Sequence, residues 1–211
     1  MSGQEPQHLP SASDDPPLPP THLSVWTLPL LTLPSTMLYR GHWVRRGPIF
    51  FNPRHGRWSS GDGAYATLYL ATQPEGAFLE AFGHLIAVTA GSLWVSTEVL
   101  EIAGLSVVTT TRPLRLVDVT HGAALAALAV DSRITNGPHQ LSQQWSRAFW
   151  AHPSSPDGIL YRSRRAPDQT CIALFDRASD AVTADAQTNL MDDPQRRTAL
   201  LRALTAELVD T

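Results

Sequence analysis

The stretch Thr67–Ala71 (TLYLA) runs directly into Thr72-Gln-Pro-Glu75, and this junction constrains the fold more than any other part of the chain. Five residues dominated by apolar and β-forming types, after the turn signals of Ser59 to Gly63, read as a buried strand. A Thr-x-x-Glu box with proline near the first turn then opens a helix that continues to about His84. Within that helix Ala77, Phe78, Ala81, Phe82 and Leu85 recur at three- and four-residue spacing, giving a stripe that faces a core, with Glu80 beside it. Other segments fall on either side. Thr36–Trp43, Trp94–Ile102, Leu114–Val119, Gly158–Ser163 and Thr170–Asp176 read as strands, with a turn expected at Ala103-Gly104. Thr120 is placed to cap a short helix to about Val130, and a further helix is expected over Gln140–Ala151. Asp193-Pro194 opens a terminal helix with Leu200, Leu201, Leu204 and Leu208 on one face. Interspersed strands and helices give an α+β fold around a mixed sheet.

At 211 residues the chain suits one domain with extensions, taking about 100–200 residues per domain. Residues 1–34, rich in Pro, Ser and Thr, read as a flexible leader whose last apolar residues, Leu28–Leu33, can lie on the body. The domain is then expected over 35–180, with 181–211 as a C-terminal extension. A single cysteine, Cys171, forms neither an internal disulfide nor a multi-thiolate metal site, so packing must supply stability. No apolar run approaches the roughly 18 residues of a membrane helix, and the N-terminus has no signal-peptide pattern. The expected location is the cytoplasm, with no membrane partner.

All sixteen cationic residues are arginine, which removes lysine chemistry: no Schiff base, no P-loop lysine and no Ser-Lys dyad. A net charge of -3 gives no broad attraction to nucleic acid. The cations are nevertheless clustered. Arg40, His42, Arg45, Arg46, Arg54, His55 and Arg57 occupy a stretch without Asp or Glu, and Arg162, Arg164 and Arg165 form a second such cluster. Guanidinium groups match phosphate oxygens in a bidentate fork, so these clusters suit either a small phosphorylated ligand or a solvated basic face. The eight histidines follow no metal-ligand spacing, no Gly-x-Ser-x-Gly elbow is present, and no GxGxxG follows a strand. Cys171 lies in an expected buried strand, where a small core side chain is the ordinary role.

The polar residues at element ends fall in three ordered blocks. These are Arg40 in the first strand, GRWSSGDGAYATLYLATQPEGAFLEAFG around Tyr69 and Glu80, and GILYRSRRAPDQTCIALFD around Ser163. Together they resemble the RES domain, a family named for its Arg, Glu and Ser, over most of residues 36–180. The resemblance implies an ADP-ribosyltransferase-like fold with a mixed β-sheet core and flanking helices. It also implies a toxin that destroys NAD by hydrolysis or phosphorolysis, with inorganic phosphate as the alternative acceptor to water and no other cofactor. Arg40, Glu80 and Ser163 then correspond to the catalytic residues, Tyr69 to the tyrosine of the strand before the helix, and Arg57 to a second basic position. The long stretch between Glu80 and Ser163 and the proline-rich leader depart from the compact family pattern.

These residue types suit NAD. Arg40 and Arg57 match a diphosphate, while Tyr69, with Tyr39 or Trp58, offers an aromatic face to nicotinamide. Loss of nicotinamide develops an oxocarbenium ion on the ribose, which a carboxylate such as Glu80 stabilises. Ser163 is expected to orient substrate by hydrogen bonding. A growth-arresting enzyme further implies an antitoxin partner, a separate helix-turn-helix protein of Xre type; the terminal helix is expected to pack back on the domain, with a docking face for that partner or for a second subunit as the alternative. Two other readings remain open on the residues: an ADP-ribosyltransferase with a macromolecular acceptor, and a nucleotide-binding module without turnover.

Overall fold

The computed structural model describes residues 17–89 and 91–209. The strands are β1 (Leu30–Leu33), β2 (Met37–Trp43), β3 (Thr67–Ala71), β4 (Ala87–Thr89), β5 (Ser92–Ser96), β6 (Ala103–Thr110), β7 (Leu114–Asp118), β8 (Gly158–Arg162), β9 (Thr170–Phe175), β10 (Val182–Ala184) and β11 (Ala206–Val209). The helices are α1 (Pro74–Phe82), α2 (Thr97–Ile102), α3 (Gly122–Ala127), α4 (Arg133–Asn136), α5 (His139–Trp150) and α6 (Pro194–Ala203). Eight strands form one mixed sheet in the order β1-β7-β8-β9-β3-β2-β6-β10, and β11-β5-β4 form a small second sheet. In the large sheet β7 and β8 are parallel and every other adjacent pair is antiparallel. A parallel pair needs a long crossover, and α3, α4 and α5 provide it.

Two-residue alternation explains why the central strands read as nearly continuous apolar runs: both faces of the sheet are covered. Tyr69 and Ala71, Ile159 and Tyr161, and Cys171, Ala173 and Phe175 pack on the side that holds α1 and α5, with Phe78, Phe82, Trp145 and Phe149. Leu68 and Leu70, Leu160, and Ile172 and Leu174 pack on the opposite side with Leu38, Val108, Leu116 and Ala181.

The mixed α+β architecture agrees with the sequence reading, and several local details differ from it. The capping box does not form: Gln73 is the N-cap of α1 without a side-chain bond, and the Thr72 hydroxyl donates instead to the Thr170 carbonyl at 3.2 Å. Pro74 still starts the helix. The expected strand Trp94–Ile102 divides, because Ser96 Oγ accepts from Val99 N–H at 3.3 Å and caps α2. The turn expected at Ala103-Gly104 is the start of β6. His121, rather than Thr120, caps α3, and Thr120 bonds to Asp118 Oδ1.

Residues 1–16 of the expected leader lie outside the described residues, while 17–34 are built into the body. Leu23 and Leu28 are buried, Pro17 O accepts from Trp145 Nε1 at 2.7 Å, and β1 pairs with β7 at the sheet edge. The expected extension is likewise integral: β10 pairs with β6 and β11 with β5. Leu200 is buried and Leu201 and Leu204 pack on the core, so this helix face turns inward, and Leu208 lies in β11. No helix among the described residues is long and apolar enough to cross a membrane.

One close approach fixes α1 against the sheet. A Cβ at Gly41 would lie 2.2 Å from the Ala77 carbonyl oxygen, so only glycine lets the helix rest on β2. Alanine in a strand ordinarily favours folding over glycine. Gly41→Ala is expected instead to lower unfolding free energy by about 1–3 kcal/mol, the usual cost of overpacking, as measured by urea denaturation.

Candidate active site

Strands β2 and β3 pair at Tyr39–Ala71 alone, whereas β2 keeps its ladder with β6 from Met37 to Trp43. Beyond that pair the two strands share no ladder, and a cleft of about 700 Å³ is lined by residues of β2, β3, α1 and the loops around them. Arg40 reaches across from β2, donating from Nη1 to the Tyr69 carbonyl at 2.9 Å. Its Nε is enclosed and has no hydrogen-bond partner, and no carboxylate pairs with the guanidinium among the described residues. Burial pushes Arg40 down to about 10, with Arg46 acting in the same direction, which leaves it charged at neutral pH. An enclosed, unpaired donor on a cation is costly, and an anion bound in the cleft would offset that cost.

Glu80 projects from α1 into this cleft and is the single carboxylate among the described residues that line it. Its Oε1 accepts from Ser163 Oγ at 2.6 Å and its Oε2 accepts from Tyr161 O–H at 2.8 Å. The two donors come from one strand and its first following residue, spaced by two, so they stand on the same face of the sheet beneath α1. Ser163 is buried, and its oxygen also accepts from the backbone N–H groups of Arg165 and Ala166, both at 3.2 Å. Burial, followed by the Glu80 charge, holds the Tyr161 hydroxyl well above the usual tyrosine range, so it remains a donor. Cys171, cross-strand from Tyr161, is pushed up by burial and then by Glu80.

The loop before β3 supplies the other wall. Trp58 N–H donates to Tyr69 Oη at 2.8 Å, and Gly56, at φ +131°, passes so close that a Cβ there would meet the same oxygen at 2.3 Å. The left-handed backbone and the contact both require glycine. Arg57 between them donates from Nη1 to the Gly137 carbonyl at 2.7 Å and to Ser142 Oγ at 3.1 Å. Burial, then the like charge of Arg164, holds Arg57 below its ordinary range.

Of the residues singled out by sequence, Arg40, Arg57, Tyr69 and Glu80 line the cleft, and Ser163 lies behind Glu80 as its hydrogen-bond donor. Trp58 is a correction: it is wholly buried, 5.5 Å from the Tyr161 ring, and offers no face to a ligand. Its bulk anchors the loop that carries Arg57. Tyr39, half-buried, packs against the helix-side core and is not part of the cleft lining. Sequence reasoning missed Tyr161 as a partner of Glu80, although its two-residue spacing from Ser163 on a strand carried that signal. It also missed His139, which no local pattern marks.

The family model for the RES domain matches residues 14–199. This chain belongs to the RES domain family. Among curated proteins, this RES chain is 30% identical over 119 residues to "Probable toxin y4kH" of Sinorhizobium fredii (strain NBRC 101917 / NGR234), covering 56% of the chain and 93% of that protein. Among solved structures, the RES fold is shared with a chain of the M. tuberculosis MbcT–MbcA toxin–antitoxin complex, at a TM-score of 0.60 and 20% identity, over 82% of this chain and 91% of that one.

Two outcomes check this geometry. Trp58→Ala is expected to lower unfolding free energy by about 3–5 kcal/mol in chemical denaturation, as removal of a core anchor does. The buried, protonated Cys171 thiol is expected to resist iodoacetamide in the folded protein at pH 8 and to react fully in denaturant, as read by mass spectrometry.

Proposed function

We propose that this RES chain is the toxin of a toxin–antitoxin pair, and that it binds NAD in the β2–β3 cleft and cleaves the bond between nicotinamide and ribose. The observation that carries this reading is the pairing of one carboxylate, fixed on both oxygens by Ser163 and Tyr161, with arginines from several segments in a partly apolar lining. The family membership, and the toxins among its relatives, support it.

The chemistry follows from those positions. Arg40, with a free enclosed Nε, binds the diphosphate, and Tyr69, half-buried in the wall, offers a ring to nicotinamide. As the C–N bond breaks, its electron pair leaves with nicotinamide, which becomes neutral, and positive charge spreads over the ribose C1′ and ring oxygen. Glu80 stabilises that charge and holds the incoming acceptor. If water attacks, its proton passes to the carboxylate and on to solvent, giving ADP-ribose. If phosphate attacks, one of its oxygens forms the new bond to C1′ and ADP-ribose 1″-phosphate results. Ser163 and Tyr161 act through Glu80 as positioning residues. NAD is then substrate, the workplace is the cytoplasm, and the partner is an antitoxin of Xre type that covers the cleft.

The test is the product spectrum of purified protein with NAD, with and without phosphate. Nicotinamide release is expected, and Glu80→Ala is expected to lower it by about a hundredfold or more with the fold retained. ADP-ribose in both buffers identifies a hydrolase, and ADP-ribose phosphate only with phosphate identifies a phosphorylase. Absence of nicotinamide release from folded native protein in either buffer overturns the reading. In cells, the native chain is expected to arrest growth and Glu80→Ala to relieve the arrest.

A further inference from the structure

A strand at the edge of a sheet leaves one side of its backbone without a partner, and proteins guard such edges with charges, prolines or covering elements. Among the described residues the two sheets have four edge strands, β1 and β10 in the large sheet and β4 and β11 in the small one. Three of them are guarded. Pro29 and Pro34 bracket β1, and the exposed Asp180 and Asp185 stand on either side of β10. Strand β11 carries the exposed Glu207 and runs against α6.

Strand β4 is the exception. It pairs with β5 alone, at Ala87–Trp94, Val88–Leu93 and Thr89–Ser92, and all of its residues are exposed. Between Glu80 and Glu98 the sequence has no Asp, Glu, Arg or Pro, and His84 is the single titratable side chain there. Val88 is 70% exposed and Leu85 42%, two of the large apolar side chains that the fold leaves at the surface. Val88 also lines the cleft with Ile86 and Leu93, so this edge lies at the border of the cleft.

The absence of charge narrows what covers the edge. A strand that recognises a different protein by charge presents the sign opposite to its partner's, and β4 presents none. Any charge on so short a strand would face its own copy's across a twofold axis, and β4 has none to oppose. An antiparallel pair centred on Val88 sets Val88 opposite Val88 and Ala87 opposite Thr89, with apolar or small side chains throughout. It also gives the open N–H and C=O groups of both edges their partners.

We propose that β4 is a self-pairing edge, through which two copies of this chain join their small sheets antiparallel about a twofold axis at Val88. The occupant is a second copy, and the contact does not depend on the reaction carried out in the cleft. Because Val88 belongs to the cleft lining, the pairing brings the two clefts next to each other. A short strand with few apolar side chains buries less than the roughly 1,000 Å² of a permanent interface, so the association is weak and concentration-dependent.

The test is sedimentation of the full chain over a range of concentrations, in which a monomer–dimer equilibrium is expected. Val88→Arg, an exposed substitution whose folding is checked by thermal unfolding, sets two like charges together on the axis and is expected to weaken dimerisation by about tenfold or more. Cross-linking locates the contact. The one native thiol, Cys171, is buried, and paired antiparallel strands hold opposite Cα atoms about 5 Å apart, within disulfide reach. With oxidised glutathione as the oxidant, Val88→Cys is expected to form a disulfide-linked dimer faster than Val25→Cys, an 80% exposed position outside the small sheet. A monomer at every concentration, a dimer indifferent to Val88→Arg, or cross-linking of Val88→Cys no faster than of Val25→Cys each overturns the proposal, the first leaving the edge to a strand of another protein.

Discussion

The two hydroxyls that hold Glu80 connect the sheet to the helix above it, and the candidate site depends on that connection. Tyr161 and Ser163 stand two residues apart on and just after β8, and both donate to one carboxylate carried by α1. A glutamate on a helix over an apolar sheet would otherwise turn its flexible stem toward solvent. Bonded at both oxygens, it is fixed in direction, as the proposed role of facing a transient positive charge requires. Gly41 contributes by letting α1 approach β2, and the Ser163 oxygen contributes again by closing the turn that carries Arg164 and Arg165.

The second constraint is a departure from regular pairing. A continuous β2–β3 ladder would close the sheet and leave no room for a ligand; pairing at one residue pair opens the cleft and places Arg40 across it. Arginine suits this position better than lysine, because its charge persists when burial lowers its pKa to about 10 and its fork keeps donors to spare after one backbone bond. Around it the lining carries several cations and one carboxylate, an imbalance that structural ion pairs do not explain. Elsewhere the chain does pair its charges: Arg112 with Asp157, Arg133 with Asp131, and Arg147 with Asp62.

Much of the architecture was legible because its signals are local. The strand Thr67–Ala71, the helix opened by Pro74, the helix over His139–Trp150 and the pair of strands after Gly158 all carry their own periodicity and boundaries. Misreadings arose where one pattern serves two structures. The apolar residues of Trp94–Ile102 suit a strand or a helical turn, and the Ser96 cap decided between them. Thr72 could cap α1 or bond across to β9, and the neighbouring strand took its hydroxyl. Trp58 looked like a binding platform because a nicotinamide ring suits an aromatic face, yet burial beside Tyr161 claims the whole ring.

The sequence by itself determined the α+β class, the order of most elements, a chemistry without lysine or disulfides, and the blocks around Arg40, Glu80 and Ser163. Those properties are written in residue type and short-range spacing. Only the tertiary structure decided that β2 and β3 part after one pair, that Tyr161 joins Ser163 on Glu80, and that Arg57, Arg164 and His139 share one cleft. The hydrogen bonds that hold Glu80 and Arg57 join residues 80 or more positions apart, and their geometry follows from how strands and helices pack, which no local period encodes.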